Sequence, residues 1–255
     1  METVFYVEDG LMQVLKFAEV ATFGRSQSVR DFGSGIVRSQ YDQIADIAEG
    51  KIAELGFMQF LKKNFNLETV IDFNHYESIK VTDLGNDMEL YIDRGEKRIS
   101  TFKVDVKATK PYSKWLLVEG HKFWANAYVL IKTELPRCCE SDPYASIKGK
   151  IKVEVVGFAY YTDFIDPITR KPWIEYSSGD ELIDPAYLTF ASPILVKDYV
   201  QTHSVVRLQC TLKSPSNYGL PVSHLRKDKD EWKNLIYKVR TSTIETKDNI
   251  IKPRY

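Results

Sequence analysis

The chain has 255 residues, of which 44% are hydrophobic and 13% aromatic, and this composition excludes an intrinsically disordered protein. Its 35 basic and 35 acidic residues cancel to a formal net charge of zero, so bulk electrostatics selects no partner. A nucleic-acid site would therefore depend on local clusters of Lys and Arg.

The cysteines and the N-terminal segment bear on the cellular compartment. The three cysteines, two of them adjacent at Cys138 and Cys139, have no zinc-ligand spacing, and their odd number favours a reducing compartment. The apolar run over residues 11–23 contains Lys16 and Glu19, which the core of a signal peptide does not tolerate. No apolar run reaches the roughly 18–20 residues that a membrane-spanning helix needs. The sequence therefore predicts a soluble, cytoplasmic protein.

Hydrophobic periodicity predicts helices at the start of the chain. Residues 11–22 have apolar side chains at helical spacing, and residues 24–35, rich in Ser and Gly, predict a loop that could contact a ligand. A long helical pattern covers residues 36–65, where Gly50 and Gly56 leave open whether there are one or two helices. Its predicted buried stripe consists of Ile44, Ile47, Ile52, Leu55, Phe57 and Leu61.

From residue 67 the pattern becomes typical of strands. Residues 88–93, a turn at Arg94–Gly95 and residues 98–109 predict an antiparallel hairpin. We expect one domain of the α/β (α+β) class with a mixed sheet. The remaining predictions are strands at 68–73, 78–81, 126–134, 146–161 and 204–212, loops at 166–184 and 213–225, a helix at 228–239, and a helix or strand at 115–125.

The strand at residues 102–109 carries the most informative pattern. It reads Phe-Lys-Val-Asp-Val-Lys-Ala-Thr, so apolar and polar side chains alternate and Asp105 and Lys107 share one face. An acid followed two residues later by Lys occurs four times in the chain, but only here on a predicted strand between apolar neighbours. A solvated sheet face with an ordinary ion pair would explain the same two residues.

Two further acids extend this pattern. Asp87 follows a glycine-containing turn, and pairing of the predicted hairpin can bring it beside Asp105. Two such close carboxylates repel unless a cation lies between them, and oxygen ligands of this kind suit Mg²⁺. On the preceding helix we expect Glu54, in preference to Glu49, to reach the hairpin because it borders the buried stripe. Taken alone, Glu54 is more typical of a surface residue of a helix than of a metal ligand.

Together, Glu54, Asp87, Asp105 and Lys107 resemble the PD-(D/E)XK nuclease superfamily, in the form found in type II restriction endonucleases. The resemblance covers about residues 36–135, and Asn86 stands where the family name has proline. It implies a restriction-endonuclease-like mixed β-sheet core flanked by helices, within a single nuclease domain over residues 1–255. Residues after about 140 match no known motif, and we expect them to contribute DNA recognition and dimerisation.

The resemblance also implies an activity. It implies Mg²⁺-dependent hydrolysis of phosphodiester bonds at a short specific sequence in double-stranded DNA, in the cytoplasm of a bacterium or archaeon. Asp87, Asp105 and the Val106 carbonyl oxygen would hold the metal, and Lys107 would orient the attacking water. A homodimer suits a two-fold DNA site, and a cognate DNA methyltransferase is expected in the same system. The alternatives are a repair or recombination nuclease of the same fold, or a non-catalytic β-rich binding module.

Candidate DNA contacts come from two polar regions. Residues 94–114 contain seven basic side chains and two acids, which favours phosphate contact if a nuclease site lies within them. Residues 214–233 contain side-chain types that can read base edges, although an ordinary polar loop and helix would have the same composition. The predicted DNA-binding residues are Lys110, Lys114, Asn217, Tyr218, Ser223, His224, Arg226 and Lys227.

Overall fold

The computed structural model describes residues 1–23, 39–73, 86–135, 149–189, 191–212 and 216–244. The loop predicted at 24–35, the strand predicted at 78–81 and the adjacent cysteines lie outside these ranges. Within them the helices are α1 (Leu11–Phe23), α2 (Gln40–Phe65), α3 (Val196–Thr202) and α4 (Lys229–Thr241). The strands are β1 (Val4–Val7), β2 (Leu67–Thr69), β3 (Leu90–Asp93), β4 (Glu96–Ser100), β5 (Val104–Thr109), β6 (Trp115–Glu119), β7 (Ala127–Thr133), β8 (Ile151–Tyr160), β9 (Ile174–Ser177), β10 (Glu181–Ile183), β11 (Ile194–Leu195), β12 (Arg207–Thr211), β13 (Ser216–Pro221) and β14 (Thr243–Ile244).

A mixed four-stranded sheet forms the centre of the molecule. Its order is β1-β8-β7-β5, with β7 antiparallel to β8 and parallel to β5. Val104 and Val129 point to the face that packs against α1, α2 and α4. Tyr128 and Leu130 point to the other face, where residues of β6 and β13 pack. Because both faces are covered, β7 is an almost continuous apolar run, as the sequence predicted. The predicted α/β class with a mixed sheet is confirmed.

Helix α2 runs without a break past both glycines. The hydroxyl of Ser39 accepts a hydrogen bond of 3.1 Å from the Asp42 N–H at its start, and Asn66 ends it in the left-handed conformation. A Cβ on Gly56 would lie 2.5 Å from Val153 Cγ2, so glycine here lets the helix lie close against β8. The sequence left open one helix or two, and close packing on the sheet decides for one.

The predicted hairpin is correct in its first part and wrong in its second. β3 and β4 pair antiparallel through a turn in which Arg94 and Gly95 both have positive φ, at 54° and 86°. The second predicted strand, however, is two strands in two different sheets, because β4 ends at Ser100 and β5 begins at Val104. At the break the Ser100 hydroxyl accepts a hydrogen bond from the Phe102 N–H and donates one to the Val239 carbonyl.

A second four-stranded sheet, of order β11-β9-β13-β6, lies where two loops were predicted. The segment 166–184 lies mostly outside strands, as predicted, although it contains β9 and β10, whereas the prediction of a loop at 213–225 is wrong because β13 lies in it. β13 pairs on both sides, with β6 and β9. A Cβ on Gly219 would lie 3.1–3.2 Å from the rings of Tyr176 and Trp115, so this glycine allows close approach of aromatic residues. The ambiguous segment 115–125 contains β6 and then a short 3-10 turn (Gly120–Lys122).

The two shorter helices that the sequence predicted are confirmed with their buried faces. Helix α1 buries Leu11, Val14, Leu15, Ala18 and Ala21. Helix α4 buries Trp232, Leu235, Ile236 and Val239. Among the described residues, no helix combines the length and apolarity that crossing a membrane requires.

Candidate active site

Asp87 lies along the outer edge of β5. The Asp87 N–H donates a hydrogen bond of 2.8 Å to the Val104 carbonyl, and the Val106 N–H donates one of 2.6 Å to Asp87 Oδ2. The preceding Asn86 accepts 3.0 Å from the Val104 N–H through its Oδ1. These three bonds continue the hydrogen bonding of the sheet in a segment just before β3. The structure thus brings Asp87 to β5 through a docked turn, and not through the hairpin ladder that the sequence predicted.

Asp105 and Lys107 project from the same face of β5. Lys107 Nζ lies 2.6 Å from Asp105 Oδ2, and the two side chains are 20% and 9% exposed. Neighbouring Tyr128 shares that face, and burial together with the charge of Asp105 raises the pKa of its phenol. An ion pair between these residues would also be expected if Asp105 and Lys107 had no catalytic role. A solvated sheet face, however, would leave the pair exposed, whereas here it is largely buried.

Glu54 approaches Asp87 from helix α2 together with a lysine. Lys51 Nζ lies 2.8 Å from Glu54 Oε2, and the side chains are 11% and 16% exposed. The ammonium also lies 5.4 Å from the ring centroid of Phe17 and 5.9 Å from that of Phe73. We did not predict Lys51 from the sequence. The available signal was a lysine at a position one turn before Glu54 and next to the buried Ile52.

Electrostatics joins these groups into one cluster. The pKa of Asp87 is raised well above its ordinary value, first because the carboxyl is desolvated and then because the carboxylates of Glu54 and Asp105 are close. The Val106 N–H and the charge of Lys51 act in the opposite direction without cancelling the rise. The structure therefore brings together the four residues predicted from the sequence, with Lys51 as a fifth member.

The alternative helical acid, Glu49, faces a different region. Its carboxylate accepts a hydrogen bond of 2.5 Å from the Thr133 hydroxyl and lies 2.7 Å from Lys110 Nζ. Glu49 is buried at 8% exposure, so these contacts satisfy it away from Asp87. Glu54 is the acid of α2 that acts on Asp87.

A cavity of about 510 Å³ adjoins the cluster and is lined by both Glu54 and Asp87. Its walls come from α1, α2, β3 and the segment after β2, and they include the rings of Phe57 and Phe73. Among the described residues, the two carboxylates therefore border a common cavity.

Lys107 is flanked by a second carboxylate that the sequence did not indicate. Glu119, at the end of β6, lies 2.5 Å from Lys122 Nζ and 3.7 Å from His121 Nε2. Burial acts to raise the pKa of Glu119, but the charges of Lys122, His121 and Lys107 outweigh it and hold that pKa below its ordinary value. The approach to Lys107 from β6 is thus a charged region and not an apolar one.

The possible metal ligands at this sheet edge are few. Within the part of the chain that the structure describes, no group of three or more His, Cys, Asp or Glu side chains could hold a metal ion. Mg²⁺ usually keeps several waters and takes one or two protein carboxylates. Asp87, whose pKa the nearby Asp105 carboxylate helps to raise, fits this smaller set together with Asp105 and the carbonyl oxygen of Val106, the residue after Asp105.

Most of the predicted DNA-binding residues already have protein partners. Lys114 lies 2.6 Å from Asp184, and Arg226 holds Asp163 with two hydrogen bonds of 2.8 and 2.9 Å. Asn217 and Tyr218 belong to β13, where Asn217 is buried and the Tyr218 ring lies 4.6 Å from that of Phe123. Ser223, His224 and Lys227 are exposed.

Comparison of the chain with protein-family models, with curated proteins and with solved structures found no match. We therefore infer function from the residues of the site and from the family resemblance of their pattern.

Proposed function

We propose that this protein is a Mg²⁺-dependent type II restriction endonuclease that hydrolyses phosphodiester bonds at a specific short sequence in double-stranded DNA. One observation carries the proposal. Acids from α2, from the turn before β3 and from β5 converge at one sheet edge, and Lys107 lies 2.6 Å from the acid on β5. Separate elements meeting in this way are typical of a site built for chemistry, because perturbed carboxylates gather there.

Each residue has a role in the proposed reaction. Asp87, Asp105 and the Val106 carbonyl oxygen would hold Mg²⁺, which when bound acts as a Lewis acid and lowers the pKa of its water. Lys107 orients the attacking water and offsets negative charge on the phosphate oxygens. A bond forms between the water oxygen and phosphorus while the bond to the leaving sugar oxygen breaks; the water gives up a proton and the sugar oxygen takes one up, so the products are a phosphomonoester and a sugar hydroxyl. Glu54, held by Lys51, adds negative charge on the α2 side of Asp87.

The proposal extends to partners and location. A homodimer would present two such sites to the two strands of a palindromic sequence. The cellular setting is a bacterial or archaeal cytoplasm that also contains a DNA methyltransferase of the same specificity. Ser223, His224 and Lys227 are exposed on the surface that would contact DNA, with Ser223 hydrogen-bonded to His224, whereas Arg226 must first release Asp163.

The experiment is incubation of plasmid and phage DNA with the protein and Mg²⁺, followed by electrophoresis. Discrete fragments are expected from a restriction enzyme, and they should be absent with Asp105→Asn and Lys107→Ala. A matched control is Lys233→Ala, because Glu231-Trp232-Lys233 has the same acid-x-Lys order on the exposed face of α4. Full cleavage by Lys107→Ala, or no cleavage by the unaltered protein with Mg²⁺ or Mn²⁺, contradicts the proposal. A smear or structure-dependent nicks would favour the repair alternative, and binding without cleavage the non-catalytic module.

A further inference from the structure

A second cavity, of about 400 Å³, opens where β5 and β7 begin and β8 ends. Aromatic side chains dominate its lining, with Phe102, Trp124, Tyr160 and Tyr161 among them. We call these four residues, together with Lys103 and Lys238, the aromatic cleft. Trp124 is 37% exposed and Tyr161 is 41% exposed, so both rings reach the surface at the cavity. The exposed rings give a ligand flat surfaces on which to stack.

Two lysines lie over the rings of this cleft. Lys103 Nζ is 4.6 Å from the ring centroid of Trp124, and Lys238 Nζ is 3.8 Å from that of Tyr160. Neither ammonium forms an ion pair with an acid of the described part of the chain, in contrast to Lys110 and Lys114, which do. The positive charge of the aromatic cleft is therefore available to an anionic ligand.

The aromatic cleft lies close to the candidate active site along β5. Lys103 precedes Asp105 by two residues, which corresponds to about 7 Å of extended chain. The segment is held firmly, because the Lys103 N–H donates 2.7 Å to Asn126 Oδ1 and its carbonyl accepts 2.9 Å from the Asn126 N–H. This separation is about two nucleotide rises of ~3.4 Å on one strand. Lys107 lies two residues further along β5, so a strand whose phosphate reaches Lys107 extends into the cleft over about four such rises.

We propose that the aromatic cleft binds an unpaired nucleobase, stacked on Trp124, while Lys103 and Lys238 bind the phosphates on either side of it. Stacking on aromatic rings and cations along the backbone are the general means of binding single-stranded nucleic acid. A paired base cannot enter, because its faces are covered by its neighbours until it leaves the stack. This inference rests on the proposed nuclease function only in taking the bound strand to be DNA. Binding in the cleft itself does not require a metal.

The experiment is fluorescence anisotropy of a labelled 12-nucleotide oligo-dT, titrated in EDTA so that no cleavage occurs. Trp124→Ala should weaken binding by about 10-fold, within the range that stacking of one base supports. Lys238→Ala should reduce the slope of log K against log salt by about one. Tyr112→Ala, an aromatic that is 81% exposed outside the cleft, and Lys233→Ala are the matched controls and should bind as the unaltered protein does.

A strand of the same length that carries abasic sites separates stacking from phosphate contact. It should bind the unaltered protein about as weakly as oligo-dT binds Trp124→Ala. Equal binding of the abasic and normal strands, equal binding by Trp124→Ala and Tyr112→Ala, or no binding by the unaltered protein would each overturn the proposal. Asp105→Asn should bind oligo-dT normally, so loss of cleavage and loss of stacking are measured independently, and thermal unfolding verifies that each variant is folded.

Discussion

The carboxylate of Asp87 accepts a hydrogen bond of 2.6 Å from the backbone N–H of Val106, the residue between Asp105 and Lys107. Within the described residues no strand pairs with this outer edge of β5, and Asp87 satisfies one of its exposed donors. The same bond holds a negative side chain beside a second one. The sheet edge is therefore completed by a group whose charge is unfavourable in the absence of a cation.

Replacing Asp87 by Asn should raise the stability of the fold and lower cleavage activity. The folded state holds the Asp87 proton more tightly than the unfolded state, so the free energy of unfolding falls as pH rises from the ordinary value of 3.8 through the raised pKa. Asp87→Asn removes this loss, and it should unfold at higher urea concentration than the unaltered protein at pH 7 in EDTA, with little difference at pH 3. Cleavage should fall by at least about 100-fold. Equal or lower stability of Asp87→Asn at pH 7 would contradict the electrostatic account, and exposed Asp198→Asn is the control.

Lys51 should stabilise the acidic cluster when no metal is bound. Lys51→Met leaves Glu54 with an uncompensated charge in a largely buried position and should cost about 3 kcal/mol of unfolding free energy. The double variant Lys51→Met with Glu54→Gln should recover most of that loss. Lys233→Met breaks an exposed pair of the same i,i+3 spacing with Asp230 and should cost less than about 1 kcal/mol. Chemical denaturation in EDTA measures all three, and equal costs for the two lysines would refute the role given to Lys51.

Adding Mg²⁺ should stabilise Lys51→Met more than the unaltered protein. A divalent cation near Asp87 supplies positive charge that Lys51 otherwise provides, and binding to the folded state alone raises stability. The measurement is the shift of the thermal midpoint with Mg²⁺ or with Ca²⁺, so it does not depend on cleavage. Identical shifts in both proteins would argue against a cation beside this pair.

The two glycines of α2 should respond oppositely to alanine. Gly56→Ala places a Cβ 2.5 Å from Val153 Cγ2 and should destabilise the protein by about 1–3 kcal/mol, because α2 or β8 must move. A Cβ on Gly50 meets nothing within 4 Å, so Gly50→Ala should stabilise by about 0.5–1 kcal/mol through helix propensity. Urea titration compares the pair directly. A change of the same sign in the unfolding free energy of both variants would contradict the packing of α2 on β8.

Arg226 should act on stability and Lys227 on DNA affinity. Arg226→Ala leaves Asp163 and Glu231 without their shared partner, at a cost of about 1–2 kcal/mol for a partly exposed network. Exposed Lys227→Ala should leave the unfolding free energy unchanged and weaken DNA binding. Unfolding curves and duplex titrations distinguish these outcomes, and an unchanged stability of Arg226→Ala would show that its ion pairs are dispensable.

Local periodicity along the chain was sufficient to predict several features of the fold. The 3.6-residue spacing of Leu11, Val14 and Leu15 identified the buried face of α1, and that of Trp232 and Leu235 identified the face of α4. Alternation along residues 104–109 was enough to put Asp105 and Lys107 on one face of a strand. Such patterns require only that one side of an element be buried, and the sequence contains that information.

Features in which distant segments supply the hydrogen bonds depend on tertiary packing and could not be predicted from local patterns. Residues 216–221 have a loop-like composition, yet they form β13 because β6 and β9 pair with it on both sides. The alternation of apolar and polar residues from Arg98 to Thr109 does not indicate that the strand breaks at Ser100. At this break the Ser100 hydroxyl donates a hydrogen bond to the carbonyl of Val239 in α4. Asp87 likewise meets Asp105 through a docked turn, and Lys51 joins them from α2. Periodicity describes which faces are buried, but the partners of a strand edge or a buried charge come from elsewhere in the chain.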